Sequence, residues 1–390
     1  MTTATATRPK ASATTLRIQK AELLEALLAI HHATPTRPAK PILANCRIGD
    51  GLVTGTDLEV RIDRAIAEQC EPFLVPHARL LAIVRAATGE DVTLTAKGPS
   101  VTVKCGGGKW ELPTEDVAEY PTWEPLGLHS MPALPEDQFL SAVASVVHST
   151  DPGSSRYALG GVLIESDEDD VFFVATDGRR LSRCICGHDS ATDVFVGKPK
   201  DPSHRRAPIV PQRVMKIMEG LCHERGERSV HVQCDEKVVV FSLGDVTVTA
   251  SLVQGEFPRW RDITGSTDGM PAVVYRQSFS NCVSAAMIVT SEQSKGIDLK
   301  WKEDELEIVA RSSEYGQSQV TCPFSKRGTA VNTKLDPSYI IEFLNHLPKD
   351  TPEVSVFVAS ATDKVTIACD YDEDKKRFAY LGVIMPLAVE

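Results

Sequence analysis

The sequence predicts an α+β protein assembled from three similar domains. Three observations carry this. An amphipathic helix pattern occurs three times, over VPHARLLAIVRAA (75–87), VPQRVMKIMEGL (210–221) and LDPSYIIEFLNHL (335–347). A different helix pattern precedes each of these. Short alternating runs follow, and the thirds end alike on EYPTW (119–123), EFPRW (256–260) and VIMPL (383–387).

The early helices come first in each third. Leu23, Leu27 and Ile30 are spaced 0, 4, 7, while Phe139, Val143, Val146 and Val147 are spaced 0, 4, 7, 8, as are Phe279, Val283, Ala286 and Met287. In the later helices Val214, Ile217, Met218 and Leu221 fall at i, i+3, i+4 and i+7, one apolar stripe of a 3.6-residue period. Leu80, Ile83, Val84 and Ala87 repeat that spacing, as do Ile340, Phe343, Leu344 and Leu347. Pro211 suits the first position of its helix, where the missing N–H costs nothing. The offsets, 134 and 126 residues, are the length of a domain and too long for a solenoid unit. The runs 91–105, 229–253 and 354–371 alternate as strands and are broken by turn residues.

Boundaries near Gly127–Met131 and Gly265–Met270 divide the chain into a polar tail (1–14) and domains over 15–128, 129–266 and 267–390. Helices on one face of antiparallel sheet bury one side of each. Like domains placed end to end leave sheet edges free to pair with the next domain. Three make an arc, and an arc with complementary ends closes on a copy of itself. An open rod is the alternative.

The composition bounds the function. The 390 residues are 42% hydrophobic and 24% charged, and no apolar run approaches the ~18 residues of a membrane helix. The opening MTTATATRPKASATT has no apolar core for a secretory signal. Its Arg8 and Lys10 without acids loosely resemble a transit peptide, though a disordered polar tail is the better reading. Ten cysteines without a CxxC, the closest pair being Cys184-x-Cys186, fit reduced thiols in the cytoplasm. A net charge of −11 excludes a coat of DNA-binding charge but not a local basic surface. No nucleophile–base pair, metal spacing or Gly-rich phosphate loop occurs, so no catalytic residue, metal or cofactor is expected. Asp57 and Asp177, each after a threonine, fit Asx turns at strand ends.

Several stretches carry a family resemblance. TGTDLEVRI (54–62), SRYALGGVLIE (155–165), VATDGRRLSR (174–183), LVQGEFPRWRDI (252–263) and VIMPL closely resemble the bacterial replicative sliding clamp, the beta subunit of DNA polymerase III. RPAKPILANC (37–46) resembles its first-domain loop and strand. The likeness spans Leu16 to Val389 and is specific only in combination. It implies the DNA clamp fold: a head-to-tail homodimeric ring of six domains, helices lining the pore and antiparallel sheets outside. Double-stranded DNA threads the hole irrespective of sequence. The resemblance also implies partners, namely the alpha subunit of the polymerase, a clamp loader, and other polymerases and repair proteins that bind through short linear motifs. It implies no membrane association.

The pore needs attraction that is blind to sequence, which Lys and Arg contacts to phosphate supply. Arg79, Arg85, Arg213 and Lys216 lie off the apolar stripes of the later helices, with Lys20 and Arg276 on or near the early ones. Arg37 and Tyr157 match DNA-contacting loop positions of the family, with Ala158 where relatives often carry a second Tyr. The third later helix offers Asp336 and Glu342 instead, so the basic lining is patchy. Any one such charge is ordinarily a solvated surface group.

By resemblance, a partner pocket lies between the second and third domains. The matching positions are Arg156, Leu159, Thr176, Gly178, Arg179, Leu181, Pro258, Ile263, Tyr339, Val383, Ile384, Met385, Pro386 and Leu387. An apolar groove with a polar rim suits a short peptide anchor, and Met385 can repack around different side chains. Leu159 and Val383 also fit a plain domain-junction core. Arg179 replaces a common His, Asp262 a common Arg and Ser294 a common Phe, and the chain ends Ala-Val-Glu, which alters the rim.

The resemblance places dimer closure at Trp110 and Leu112 on one side and at Ile288 and Val289 on the other. The family's acidic stretch keeps only Glu314 here, facing basic residues of the first domain such as Arg79. Two other functions fit the sequence less well. An enzyme with sites between the thirds lacks a catalytic constellation. A sequence-reading DNA regulator lacks a recognition helix rich in base-reading Arg, Asn and Gln.

Overall fold

The computed structural model describes residues 13–123, 127–154, 157–167, 170–187, 207–222, 228–265, 269–292, 295–329, 331–372 and 377–387. The stretch from His188 to Pro208 is longer than usual connections and reads as a long loop; it and the polar tail fall almost wholly outside the described residues, as do Arg156 and Ser294. The chain forms two compact units. One runs to His129 and takes in Val230–Ser251; the other joins Ser130–Ser229 to Leu252 onward.

In the first unit α1 (Lys20–Ala29) packs on α2 (His77–Ala86). Leu23, Leu27 and Ile30 are buried on one side and Leu80, Val84 and Ala87 on the other, as the stripes require, whereas Ile83 of the expected stripe is only half-buried and Leu81, outside it, is buried. A four-stranded sheet runs Thr14–Gln19, Asp91–Lys97, Ser100–Cys105, Gly108–Pro113. A second sheet includes seven strands in the order Ser229–Cys234, Val238–Leu243, Val246–Ser251, Val60–Ala65, Leu52–Thr56, Asn45–Gly49, Phe73–Pro76.

The second unit holds α3 (Glu136–Val146), α4 (Gln212–Leu221), the short α5 (Trp260–Thr264), α6 (Arg276–Ala286) and α7 (Pro337–Asn345). Its nine-stranded sheet runs Ile209–Pro211, Gly161–Ser166, Asp170–Thr176, Arg180–Gly187, Arg377–Ile384, Val365–Asp372, Glu353–Val358, Ala272–Tyr275, Phe324–Lys326. A four-stranded sheet runs Gly316–Cys322, Leu306–Ser312, Ile297–Trp301, Thr333–Leu335. Phe279 and Val283 of α6 and Ile340 and Leu344 of α7 share one core with both sheets.

The helix starts differ slightly from the expected pattern. Pro76 and Pro211 stand just before their helices, and only Pro337 takes the first helical position, after an Asp336 cap.

The threefold repeat extends to single hydrogen bonds. A cation closes the C-terminus of each later helix, where carbonyls lack partners. Lys20 Nζ donates to Ala87 O beyond α2, and Arg276 Nε donates to Leu344 O in α7 at 3.0 Å. At α4 the role passes to Arg228, whose Nη2 lies 3.4 Å from Leu221 O. Arg228 also grips the fully buried Glu136 at the start of α3 with two bonds of 3.0 and 2.6 Å. Removing one partner of such a buried pair costs about 3–5 kcal/mol, because the other charge is left unpaired.

Both Thr-Asp pairs are turns, as expected. Asp57 Oδ1 accepts the N–H groups of Glu59 (3.0 Å) and Val60 (2.8 Å), and Asp177 Oδ1 those of Arg179 (2.8 Å) and Arg180 (2.9 Å). The threonines match too. Thr56 Oγ1 donates to Val60 O and Thr176 Oγ1 to Arg180 O. The third residue of each turn is left-handed, with φ 82° at Leu58 and 89° at Gly178.

Candidate partner pocket and nucleic-acid interface

The pocket residues gather around an apolar cluster of the second unit. Leu181 and Val383 sit opposite each other on paired strands and are buried with Ala158, Leu163, Phe172, Val174 and Trp260. Leu159 is buried, and a Cβ placed on Gly178 would lie 4.0 Å from its Cδ1. Ile263 and Phe257 pack on the cluster from the side, half-buried like Pro258. Ile384 points the other way, into the core of α6 and α7.

The C-terminal segment is tied down on both sides. Met385 N–H donates to Arg179 O and Leu387 N–H to Lys334 O, each at 2.9 Å. Met385 nevertheless keeps 47% of its surface exposed, a large flexible apolar side chain presented to solvent, with Pro386 and Leu387 half-buried beside it. Gly178 and Arg179 are exposed, Thr176 is buried, and Tyr339 is half-buried. This is the apolar floor and polar rim that a short peptide anchor needs.

Arg180 is a residue of the site that the sequence does not single out. Its guanidinium lies over the Tyr339 ring, 4.6 Å from the centroid. It also holds Asp177 (3.1 Å), Glu342 of α7 (2.5 Å) and the His148 carbonyl just past α3 (2.7 Å). It thereby joins the Thr-Asp turn to two helices and positions Tyr339. Burial and the Asp177 carboxylate push the Tyr339 phenol up, while a hydrogen bond from Arg179 pulls it back. The two acids expected among the pore charges are thus occupied, Glu342 by Arg180 and Asp336 in capping Ser338 N–H at 2.9 Å.

Among the basic residues, Arg37, Arg79, Arg85, Arg213 and Lys216 are exposed, the last four on α2 and α4. Lys20 is turned onto the end of α2, and Arg276 onto that of α7. Tyr157 opens a short 3-10 turn, Tyr157–Gly160.

The residues matched to dimer closure lie at sheet edges or beside them. Gly108–Pro113 is an outer strand, with Trp110 and Leu112 half-buried on the face shared with the buried Val103 and Val101. Gly316–Cys322 is an outer strand of its own sheet, entered by a turn bearing the exposed Glu314. Just past α6, Ile288 is 76% exposed, while Val289 packs on the core.

Comparison with known proteins agrees with this architecture. The family model of the DNA polymerase III beta subunit N-terminal domain matches residues 14–124, and that of its central domain matches 133–259. The beta sliding clamp of Salmonella typhimurium is 26% identical over 380 residues, covering 95% of this chain and 98% of the relative. That of Streptomyces coelicolor is 24% identical over 390 residues, with the same coverage. Among solved structures, the DNA polymerase sliding clamp of Bacillus subtilis superposes with a TM-score of 0.85 at 20% identity, covering 97% of this chain and all of that one. The clamp of Pseudomonas aeruginosa gives 0.82 at 22%, covering 96% and 100%. With both domain families matched in order, the relatives covered nearly end to end and the fold shared, the chain belongs to the bacterial DNA polymerase III beta subunit family, the non-catalytic sliding clamps.

Proposed function

We propose that two copies of the chain close head to tail into a ring of six domains, divided near 128 and 266. The ring encircles duplex DNA and tethers the replicative polymerase to it. The observation that carries this is a strand pairing made twice within the chain and left open a third time. Val246–Ser251 pairs with Val60–Ala65, putting Ala250 opposite Val60 and Val248 opposite Ile62. Arg377–Ile384 pairs with Arg180–Gly187, putting Ile384 opposite Arg180 and Gly382 opposite Ser182. By hairpin position, Gly108–Pro113 is the counterpart of the first strand in each pair: Leu112 faces Val101 as Ala250 faces Val239 and Ile384 faces Val365. Gly316–Cys322 is the counterpart of the second strand. Ser318 Oγ bonds Ala286 O at the end of α6, much as Ser182 Oγ bonds Ser149 Oγ just past α3.

Among the described residues each of these two strands has an unpaired edge, and unpaired edges seek partners. Pairing Gly108–Pro113 of one copy with Gly316–Cys322 of another satisfies both. It places Trp110 opposite Ser318 and Leu112 opposite Gly316, on the face where Ile288 and Val289 supply apolar cover. Two such contacts close a ring with twofold symmetry.

In that ring Arg37, Arg85, Arg213, Lys216 and Tyr157 face DNA, with Lys20 adding charge from the end of α2. Grip comes from encirclement, so the contacts stay weak enough to slide and indifferent to sequence. The groove around Met385 receives short motifs of the polymerase alpha subunit, the clamp loader, and other polymerases and repair proteins. The work is done on the chromosome, in the bacterial cytoplasm.

The test is topological. Loaded on closed circular DNA, the protein should have twice the chain mass, resist high salt and leave once the circle is cut. A monomer, or release by salt from intact circles, overturns the proposal.

A further inference from the structure

We infer that the groove selects docking peptides that carry a carboxylate beside their apolar anchor, and that Arg179 receives it. This rests on the reading of the groove as the partner pocket and specifies the chemistry of what enters it.

Arg179 is fixed by its backbone. Its N–H donates to Asp177 Oδ1 at 2.8 Å, and its carbonyl accepts the Met385 N–H at 2.9 Å. The side chain is exposed at the mouth of the groove, alongside the Tyr339 hydroxyl. Nearby acids are committed elsewhere. Asp177 serves two backbone N–H groups and Arg180 Nε, and Glu342 serves Arg180 Nη1. Among the described residues, no ion pair includes Arg179. The groove therefore offers an apolar floor of Leu159, Leu181, Val383 and Met385 beside an exposed cation whose backbone is tied to Met385 and whose side chain reaches Tyr339.

A ligand seated on Met385 passes this guanidinium. A carboxylate there makes a charge-assisted bond with it, whereas a lysine or arginine meets like charge. A side-chain carboxylate and a peptide's own C-terminus share this chemistry, and the test must tell them apart.

Three forms of one short Leu-Phe-anchored peptide, titrated by fluorescence anisotropy against the full-length protein, do so. One carries Glu next to the anchor and an amidated terminus, one Gln and a free terminus, and one Gln and an amidated terminus. The Glu peptide should bind about fivefold tighter than the amidated Gln peptide, the upper range for one exposed ionic contact. Salt should narrow the gap, and Arg179→Gln should bring the ratio close to one whatever it does to the shared affinity. A gain seen only with the free terminus supports the inference and assigns the carboxylate to a chain end. Equal binding of all three to the wild-type protein, abolished by Met385→Ala, overturns the inference alone, as does a Glu advantage that survives Arg179→Gln. Binding of none, or binding unchanged by Met385→Ala, overturns the pocket reading and the inference with it.

Discussion

The guanidinium of Arg180 stacks on the ring of Tyr339 at 4.6 Å while holding Asp177, Glu342 and the His148 carbonyl. Four attachments on one planar group make Arg180 the fastening between the Thr-Asp turn, α7 and the end of α3. Its side chain is 11% exposed, so the Asp177 pair is largely shielded from water, while Glu342 is nearly half-exposed. Replacing Arg180 with Ala strands one mostly buried carboxylate and frees Tyr339. The expected cost is about 3 kcal/mol of local stability, read as faster amide exchange in α7 and at the end of α3. Arg180→Lys should recover less than half, because a single ammonium cannot reach several acceptors at once.

The open strand edges give a register that can be trapped. If Trp110 faces Ser318 and Leu112 faces Gly316 across the dimer, Glu111 faces Gln317. Both are exposed in the single chain. Directly opposite residues on antiparallel strands have Cα atoms about 4.5–5.5 Å apart, within reach of a disulfide. Glu111→Cys with Gln317→Cys should give a covalent dimer on mild oxidation, seen on a non-reducing gel. Shifting the second cysteine to residue 319 should abolish the cross-link.

Leu58 and Gly178 occupy the same turn position with φ of 82° and 89°, a region that disfavours side chains. Leu58 is 44% exposed, so little burial offsets the strain. Leu58→Gly should therefore raise stability by about 1 kcal/mol, and Gly178→Ala should lower it by about as much. Thermal unfolding of the two variants checks the opposite signs.

The apolar stripes, the Thr-Asp turns and the repeated order of elements were legible because each is local. A stripe is a period of 3.6, and an Asx turn needs one carboxylate and the next few N–H groups. Arg180 was not legible, since nothing nearby separates it from Arg179. One is taken up by Glu342, far along the chain, and the other faces solvent. Lys20 looks like a freely solvated pore charge until α2 brings Ala87 O to it, and Asp336 and Glu342 look like pore acids until a cap and an ion pair claim them. Charge is visible in a sequence, but its partner at long range is not.

His148 and His346 stack with ring centroids 4.5 Å apart and planes at 17°, beside the Arg180 guanidinium and the Ser182 hydroxyl. Burial, then His346, then Arg180 hold the His148 pKa down to about 3, against 6.5 for a free imidazole. The folded protein thus favours the neutral ring. Below pH 6.5 the unfolded chain takes up a proton that the folded one refuses, so this contribution to stability is complete above 6.5 and is lost as the pH falls toward 3. Between pH 7 and 5 the loss should be about 2 kcal/mol, near 1.4 for each unit below 6.5. His148→Gln should flatten that slope in urea melts across the range. An unchanged slope would place the acid sensitivity in other groups.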